Sequence, residues 1–411
     1  MIQLRDYQQR ISEGAAEALK NHRIAYLAME VRTGKTLTAL AAAQTFGAAN
    51  VLFITTKKAQ PGITADYEAG GFPFSLTVIN HDSAHKITGT FDLVVIDEAH
   101  RLGAYPKPSM RTQKIKAICK GLPVIFLSGT PTPESYSQIY HQLYISDSSP
   151  FRWCKNFYAF AKVFVNVRVR KINGYTINDY SAAKIQAIWP LIAPFWFSYS
   201  QKEAGFNSFS RDYCRTIAMK PETVSLIDEL KQNRVARLGD TVIVADTPAK
   251  LLDKIHQIGG GTVIDEEGKA HIIDTTKAEY IKHLFKGRKI AVYYLYRAEF
   301  DMLKTVFGNW TDDPQEFQTS TDKTFLGQLA SAREGIRLDT ADAIIFYSIA
   351  YSYLSYEQTK NRIQSKEREK PAPCFFIFTH GGIDEDIYTA VQDKRDFTTF
   401  YYTKKYGRIW G

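Results

Sequence analysis

Residues 29–36 read Met-Glu-Val-Arg-Thr-Gly-Lys-Thr, and this stretch decides how the rest of the chain is interpreted. The apolar run Ile24–Met29 leads into it as a buried strand would, and an alanine-rich run leads out as a helix. Between them, Gly34 lets the backbone curl around an anion, so that loop amides and a helix N-terminus point at phosphate oxygens. Lys35 adds a mobile positive charge for the outer phosphates, and the Thr36 hydroxyl can ligate Mg²⁺.

The loop departs from the strict phosphate-loop pattern, because Met29 stands where glycine or alanine is usual and Arg32 lies inside the loop. An ordinary turn between a strand and a helix is therefore the alternative interpretation. The loop residues that we predict to contact a nucleotide are Arg32, Thr33, Gly34, Lys35 and Thr36.

Length and composition bound the class of protein. At 411 residues the chain is long enough for two or more domains, and its 45% hydrophobic and 23% charged residues are typical of a soluble globular protein. No apolar run approaches the roughly 20 residues that span a bilayer, and the N-terminus lacks the apolar core of a signal peptide. The four cysteines show no Cys-x-x-Cys spacing, which argues against a zinc site or a disulfide framework. We therefore expect a cytoplasmic protein with no membrane partner.

The charge of the chain points to a class of partner. A net charge of +9 favours a polyanion, although many basic proteins bind none. Tyrosine and phenylalanine together number 49, and such rings can stack on nucleic-acid bases or simply fill the core.

Tyr7 and Gln8 lie in a predicted helix that runs from about residue 4 to residue 21. A tyrosine ring can stack on adenine, and a glutamine amide can both donate to and accept from the edge of the base. By themselves the two residues are an ordinary surface pair. Their position about 25 residues before the phosphate loop makes a base-binding role the better interpretation.

A second apolar strand, Asn50–Thr56, ends in hydroxyl groups and is followed by lysines. In an open parallel sheet, ligand-contacting groups lie just past the carboxyl ends of the strands. We therefore predict that Thr55, Thr56 and Lys57 hold a nucleic-acid backbone without reading its sequence, a solvated loop being the alternative.

The most informative strand is Phe91–Ile96, because Asp97, Glu98, Ala99 and His100 follow it. Asp97 can hold Mg²⁺, and Glu98 can polarise the water that attacks a γ-phosphate. Adjacent carboxylates repel each other, and a bound cation would offset that repulsion. An acidic N-cap of a helix is the alternative.

A further apolar strand ends at Ser128, Gly129 and Thr130. Strands that alternate with helices and carry polar groups at their ends predict a doubly wound α/β domain over residues 1–148. The same alternation restarts in residues 276–411, which we predict to be a second α/β domain. Its predicted strands lie at 289–295, near 316–317, at 324–330 and at 343–347.

The middle of the chain, residues 149–275, is predicted to be a smaller α+β accessory insertion. Residues 163–177 alternate with period two around an Asn-Gly pair, which is a strong signal for a β-hairpin. Valines share one face of this hairpin, and Arg168 and Arg170 lie on the other, where they could follow phosphates or wedge a duplex junction. A charged edge that prevents aggregation is the alternative. The other elements predicted here include a helix at 181–196 and a second hairpin at 262–273.

Four motifs occur in the order and at the separations of superfamily 2 helicases: Tyr7-Gln8, Gly34-Lys35-Thr36, Asp97-Glu98-Ala99-His100 and Ser128-Gly129-Thr130. They resemble that superfamily's adenine-binding, phosphate-loop, metal-and-water and coupling motifs. Residues 30–36 most resemble the Swi/Snf-type, DEAH-box-bearing branch, in particular its compact phage-encoded members. The resemblance implies coupling roles for His100, Ser128 and Thr130.

The resemblance extends to the C-terminal part of the chain. Residues 331–338 resemble motif V of the superfamily, which implies that Ser331 touches nucleic acid and that Gly335 lies at the nucleotide. Residues 356–365 resemble motif VI.

In this last motif, Gln358 and Arg362 fall where the superfamily places its nucleotide-contacting residues. An arginine at this point stabilises the charge that develops on the γ-phosphate in the transition state. Ser365 replaces the second arginine of the motif, which leaves open whether Arg362 acts alone or whether Lys366 or Arg368 serves.

The resemblance thus implies an ATP-driven motor of two RecA-like doubly wound parallel-sheet domains with the accessory insertion between them. Lys35, Thr36 and Asp97 would hold ATP and Mg²⁺. Glu98 would activate the attacking water, and Arg362 would complete the catalytic set. The resemblance implies that the motor moves on duplex, forked or branched DNA. It implies translocation or remodelling in DNA repair, recombination or replication. It also implies that a monomer is sufficient for motor activity.

Three alternatives stay open. An RNA helicase would share the motor but prefer ribose contacts, and a degenerate ATPase would only clamp DNA. A metabolic P-loop kinase would need a small-molecule acceptor pocket, and it would not explain a second α/β domain that ends in a Gln-x-x-x-Arg helix.

Overall fold

Apolar runs bounded by turns form two six-stranded sheets in which every paired strand is parallel. The structure is a computed structural model. It describes residues 3–172, 175–205, 210–329, 338–350, 356, 359–360 and 373–395. The predicted α/β fold with two RecA-like parallel-sheet domains is confirmed.

By packing, the chain divides into two units, Met1–Ala204 and Gly205–Asp396, and each unit contains one of the sheets. Residues 149–204 therefore pack with the first unit and residues 205–275 with the second. The borders predicted from the sequence between the two motor domains and the accessory insertion, at 148/149 and 275/276, stay predictions. No helix among the described residues combines the length and apolarity needed to cross a bilayer.

In the first unit, the sheet has the strand order β3-β2-β4-β5-β1-β8. The strands of this unit are β1 (Ile24–Met29), β2 (Asn50–Thr55), β3 (Ser75–Asn80), β4 (Leu93–Ile96), β5 (Val124–Leu127), β6 (Arg168–Ile172), β7 (Tyr175–Asp179) and β8 (Trp196–Tyr199). The helices are α1 (Asp6–His22), α2 (Lys35–Phe46), α3 (Gln60–Gly70), α4 (Met110–Ile118), α5 (Ile139–Leu143), α6 (Phe157–Phe164) and α7 (Ile185–Ile192). Every residue of β1, β4 and β5 is buried, as is typical of a parallel sheet with both faces covered.

The helix predicted over 181–196 is wrong in its last part. The α-helix α7 ends at Ile192, and a short 3₁₀ turn leads into Trp196–Tyr199, which pairs in parallel with β1 as the edge strand β8. The ring of Trp196 stacks on that of Tyr26 in β1, with ring centroids 4.1 Å apart. Burial of this aromatic pair stabilises a strand where the sequence alone predicts helix.

The hairpin predicted around residues 173–174 is present as the antiparallel pair β6–β7, in which Arg168 lies opposite Asp179. It begins later than predicted, because α6 continues to Phe164, whose ring packs 5.0 Å from that of Phe160. The turn at Asn173-Gly174 and the side chain of Arg170 lie outside the described part of the chain.

In the second unit, the sheet has the strand order β15-β16-β14-β17-β18-β9. Its strands, including those of two separate hairpins, are β9 (Arg211–Ile217), β10 (Val235–Leu238), β11 (Thr241–Val244), β12 (Thr262–Ile264), β13 (Ala270–Ile272), β14 (Ile290–Tyr294), β15 (Trp310–Thr311), β16 (Thr324–Gln328), β17 (Ala343–Phe346) and β18 (Pro373–Thr379). Its helices are α8 (Pro221–Asn233), α9 (Pro248–Gly259), α10 (Thr276–Leu284), α11 (Arg297–Phe307), α12 (Pro314–Thr319) and α13 (Asp384–Arg395). The hairpin predicted over 262–273 is confirmed as β12–β13.

The strand predicted near residues 316–317 is wrong, because these residues belong to the short helix α12. The side chain of Asp313 accepts a hydrogen bond from the amide of Gln315 and so caps the helix start, with Pro314 at its first position. Phe317 is fully buried on the inner side of this helix.

A buried charge cluster lies next to the sheet of the second unit. The imidazole Nε2 of His256 lies 3.0 Å from Asp384 Oδ1, and the fully buried Lys277 ammonium lies 3.5 Å from Asp384 Oδ2. Burial alone lowers the pKa of His256, but the hydrogen bond to Asp384, together with the charges of Asp384 and Glu299, raises it above its ordinary value.

We predict that this cluster makes unfolding pH-dependent. Since the pKa of His256 is raised in the folded state, its contribution to stability is complete below about pH 6.5 and is lost as the pH rises through the folded pKa. The urea midpoint of the second unit should therefore fall as the pH rises above 6.5, and His256→Gln should remove most of that fall. Both proteins keep the buried Glu299, so their difference isolates the histidine. Parallel curves for the two proteins would contradict the prediction.

Candidate functional site

The polar groups singled out in the first unit follow neighbouring strands of one sheet. The strands β2, β4, β5 and β1 are adjacent and parallel, so their carboxyl ends lie at the same edge. That edge carries the phosphate loop after β1, the carboxylate pair after β4 and Ser128 after β5. This is where ligands bind in open α/β sheets.

The phosphate loop has the backbone that its sequence predicts. Gly34 has φ 80°, in the left-handed region, and stands directly before the first turn of α2. Its carbonyl accepts a hydrogen bond of 3.0 Å from the Thr38 hydroxyl, and the Thr33 hydroxyl donates to the Glu30 carbonyl at 2.7 Å. Arg32 also has a positive φ, 65°, so the loop holds two left-handed residues within three positions.

The predicted base-binding pair holds this loop in place. The Tyr7 hydroxyl donates to the Thr33 carbonyl at 2.9 Å, and the Gln8 amide donates to the Gly34 carbonyl at 3.4 Å. The positive φ of Gly34 favours glycine, and a Cβ atom there would lie 2.1 Å from Gln8 Nε2, so the Gln8 side chain would have to shift. One face of the Tyr7 ring stacks on Tyr199, with centroids 4.2 Å apart. Contact with a base stays a prediction for both residues.

Asp97 is held by groups at the carboxyl ends of three neighbouring strands, β3, β2 and β4. The Thr55 hydroxyl donates to Asp97 Oδ2 at 2.8 Å, and the Glu98 amide donates to Oδ1 at 2.9 Å. His81 Nε2 donates to the Asp97 carbonyl at 2.9 Å, and burial lowers the pKa of this histidine to about 3, so it is neutral. Burial and the charge of Glu98 raise the pKa of Asp97, whereas Lys35 and the Thr55 hydroxyl lower it.

A chain of polar contacts leads from Glu98 to the end of β5. His100 Nδ1 lies 3.2 Å from Glu98 Oε2 and 3.0 Å from the Ser128 hydroxyl oxygen. The same hydroxyl oxygen accepts a hydrogen bond of 3.2 Å from the Thr130 amide. Glu98 itself has φ 49°, in the left-handed region, so the backbone turns sharply at this point. The geometry thus joins His100, Ser128 and Thr130, although their coupling role stays a prediction.

The phosphate loop and the end of β5 are close neighbours. A Cβ atom at Gly129 would lie 3.5 Å from Lys35 Nζ and 3.3 Å from a methyl group of Val31. Lys35 Nζ also lies 3.3 Å from the Glu30 carbonyl oxygen to which it donates. The ammonium group therefore lies over the loop, toward the strand end that carries Ser128.

The donor set at this edge fits a hard divalent cation. Mg²⁺ prefers oxygen ligands, and the predicted ligands Thr36 and Asp97 supply a hydroxyl and a carboxylate. Burial, together with the charge of Glu98, raises the pKa of Asp97. A cation beside Asp97 would favour its ionised form.

Sequence reasoning missed two residues that frame the phosphate loop. The Tyr199 carbonyl accepts a hydrogen bond of 2.9 Å from the Glu30 amide. The Gln201 amide nitrogen donates to Glu30 Oε2 at 2.7 Å, and its side chain donates to the Val31 carbonyl at 2.9 Å. These contacts depend on the position of β8 beside β1, and no local sequence motif predicts them.

The residues predicted to contact nucleic acid differ in exposure. Thr55 is fully buried and bonded to Asp97, and Thr56 is buried with a hydroxyl that has no hydrogen-bond partner among the described residues. Lys57 and Arg168 are exposed. Their contact with nucleic acid stays a prediction. The predicted residues that lie outside the described ranges are Ser331, Gly335, Gln358 and Arg362, together with Ser365, Lys366 and Arg368.

We predict that Gln201→Ala loosens the phosphate loop. The change removes the side-chain hydrogen bond to Val31 and leaves the backbone bond, a loss of about 0.5–1.5 kcal/mol. Amide hydrogen exchange at Glu30 and Thr33 should accelerate by roughly two- to tenfold, whereas Gln186→Ala, an exposed change on α7, should leave it unchanged. Equal exchange rates in the two variants would contradict the assignment.

One protein-family model matches the N-terminal region of the chain, which contains the phosphate loop. Residues 1–65 match the family described as Type III restriction enzyme, res subunit, which is a superfamily 2 helicase-type domain. The matched segment contains α1, the phosphate loop, α2 and β2. It indicates helicase-type ATPase activity and nucleic-acid binding. No curated protein matches the chain.

Proposed function

We propose that the chain is an ATP-hydrolysing motor of the superfamily 2 type that moves on or remodels duplex, forked or branched DNA. The observation that supports this best is the convergence of three groups at one sheet edge. There the loop that holds Lys35 lies against Gly129, and Asp97 and Glu98 follow the strand between β2 and β5. A phosphate-binding loop beside two carboxylates is the arrangement that phosphoryl transfer to water needs.

Each residue of the site has a distinct task in this proposal. The loop amides and Lys35 bind the β- and γ-phosphates, and Thr36 and Asp97 are placed to hold Mg²⁺, which would neutralise phosphate charge when bound. Glu98 accepts a proton from the attacking water. Thr55 acts as a positioning residue, because its hydroxyl fixes one oxygen of Asp97.

We propose that ATP hydrolysis changes the conformation at the end of β5 through the contacts that lead from Glu98 through His100 to Ser128. Both contacts of His100 involve the same nitrogen atom, Nδ1. A shift of the Glu98 carboxylate on losing the γ-phosphate would therefore change the hydrogen bond available to Ser128. The Thr130 amide, bonded to that serine, would move with it.

The remaining assignments rest on motif resemblance. Gln358, Arg362 and Gly335 are assigned to nucleotide hydrolysis, and Ser331 is assigned to nucleic-acid contact. DNA is preferred over RNA as the track for the same reason. The net charge of +9 supports a polyanionic partner of either kind.

ATP turnover with and without forked DNA tests the proposal. Wild type should hydrolyse ATP faster with DNA, and Lys35→Ala and Glu98→Gln should each lose about 100-fold or more of that rate. Lys20→Ala, an exposed change on α1, should behave as wild type. Equal turnover in all samples would contradict an ATPase, stimulation by single-stranded RNA alone would favour an RNA helicase, and DNA binding without turnover would favour a clamp.

A further inference from the structure

One stretch of the first unit has an unusual charge pattern that the nucleotide site does not use. Residues 148–178 contain six lysines and arginines and no aspartate or glutamate. At the chain's average of 43 acidic residues in 411, a stretch of this length would hold about three. Asp147 and Asp179 stand immediately outside it, so the acid-free stretch coincides with the loop before α6, α6 itself and the hairpin β6–β7.

The side chains of this stretch separate into an aromatic interior and a cationic exterior. Phe151, Phe157, Phe160 and Phe164 are buried and pack against one another. Four cations on the same segment are exposed: Arg152, Lys155, Lys162 and Arg168. None of these four forms a salt bridge with a carboxylate in the described part of the chain.

Trp153 is an exception to this arrangement of buried aromatic rings and exposed cations. It is 60% exposed, more than any other aromatic residue that the structure describes. Its ring lies 6.0 Å from that of Phe164, the last residue of α6, so it stands where the chain leaves the helix toward the hairpin. Arg152 flanks it in sequence, and the exposed residues Val167 and Arg168 follow Phe164 at the start of the hairpin.

We propose that these groups form a binding surface for a single-stranded segment of nucleic acid, which we call the Trp153 surface and define as Arg152, Trp153, Lys155, Lys162 and Arg168. A base stacks on the Trp153 indole, and the cations lie along the phosphates. The inference rests on the proposed function and adds a contact outside the sheet edge that binds nucleotide.

Charge complementarity favours this ligand. An exposed indole near four exposed cations, in a stretch whose sequence contains no acids, suits a polyanion whose rings are available for stacking. A duplex offers the phosphates, but its bases are already stacked on one another, so the indole distinguishes single strands from duplex. The strand so bound would be an unpaired arm of the forked or branched track.

Fluorescence anisotropy of a labelled thymidine oligonucleotide, measured with the full chain and without ATP, tests the Trp153 surface. Trp153→Ala should weaken binding by roughly five- to hundredfold, the range expected for one base on an aromatic ring, and Trp153→Phe should recover most of the loss. Arg152→Ala with Lys162→Ala should lower the slope of log K against log salt by about 1.4, since each cation contributes about 0.7 on a single strand. Far-ultraviolet circular dichroism and thermal unfolding establish that each variant is folded.

The outcomes separate this inference from the proposed function. If wild type shows DNA-stimulated ATPase but Trp153→Ala binds the oligonucleotide as wild type does, the Trp153 surface is overturned and the motor stands. Equal weakening for single-stranded and blunt duplex DNA would also overturn it, because a stacking contact requires unpaired bases. If wild type neither binds nucleic acid nor responds to it in turnover, the proposed function falls as well.

Discussion

The first unit is organised around two adjacent carboxylates at the end of a fully buried strand, Asp97 and Glu98 after β4. Their mutual repulsion and their burial disfavour the charged form, and the raised pKa of Asp97 expresses that cost. Three surrounding groups reduce it: the positive charge of Lys35 favours the ionised form, and the Thr55 hydroxyl and the Glu98 amide donate to Asp97. Positive charge beside this pair would favour its ionised form, which is consistent with the proposed site for a cation and phosphates.

The phosphate loop beside these carboxylates is fixed by contacts from three parts of the chain. Tyr7 and Gln8 bind its carbonyls from the N-terminal helix, and Gly129 packs against Val31 and Lys35 from the end of β5. The Tyr199 carbonyl at the end of β8 and Gln201 in the turn after it bind its first residues. Stacking of Tyr7 on Tyr199 joins the first and last of these supports, so the loop conformation is held by the protein itself. Gln201, the last residue of this support, lies four positions before Gly205, where the second unit begins along the chain.

Sequence patterns were sufficient where one physical signal dominates. The apolar runs of β1, β4 and β5 were identified as buried strands because polar groups follow each run and the runs alternate with helical segments, and the Asn-Gly pair between alternating residues predicted the β6–β7 hairpin. They failed at Trp196, which was assigned to a helix, and at residues 316–317, which were assigned to a strand, because a short segment fits either a helix or a strand until its packing is known. The placement of Lys35 and Asp97 at one sheet edge was predictable, because the phosphate loop and the carboxylate pair each follow a predicted parallel strand. Gln201 was not, since it acts through a backbone carbonyl 170 residues away in sequence.

The most direct test of the proposed ATP site is a crystal structure of the chain with Mg²⁺ and a non-hydrolysable ATP analogue. We expect the β- and γ-phosphates to bind at the amides of residues 33–36, with Lys35 Nζ in contact with their oxygens. We expect Mg²⁺ to bind the Thr36 hydroxyl beside Asp97. We also expect a water molecule in contact with Glu98 and facing the γ-phosphate. Triphosphate bound elsewhere, or Mg²⁺ held away from Asp97, would contradict the proposed site.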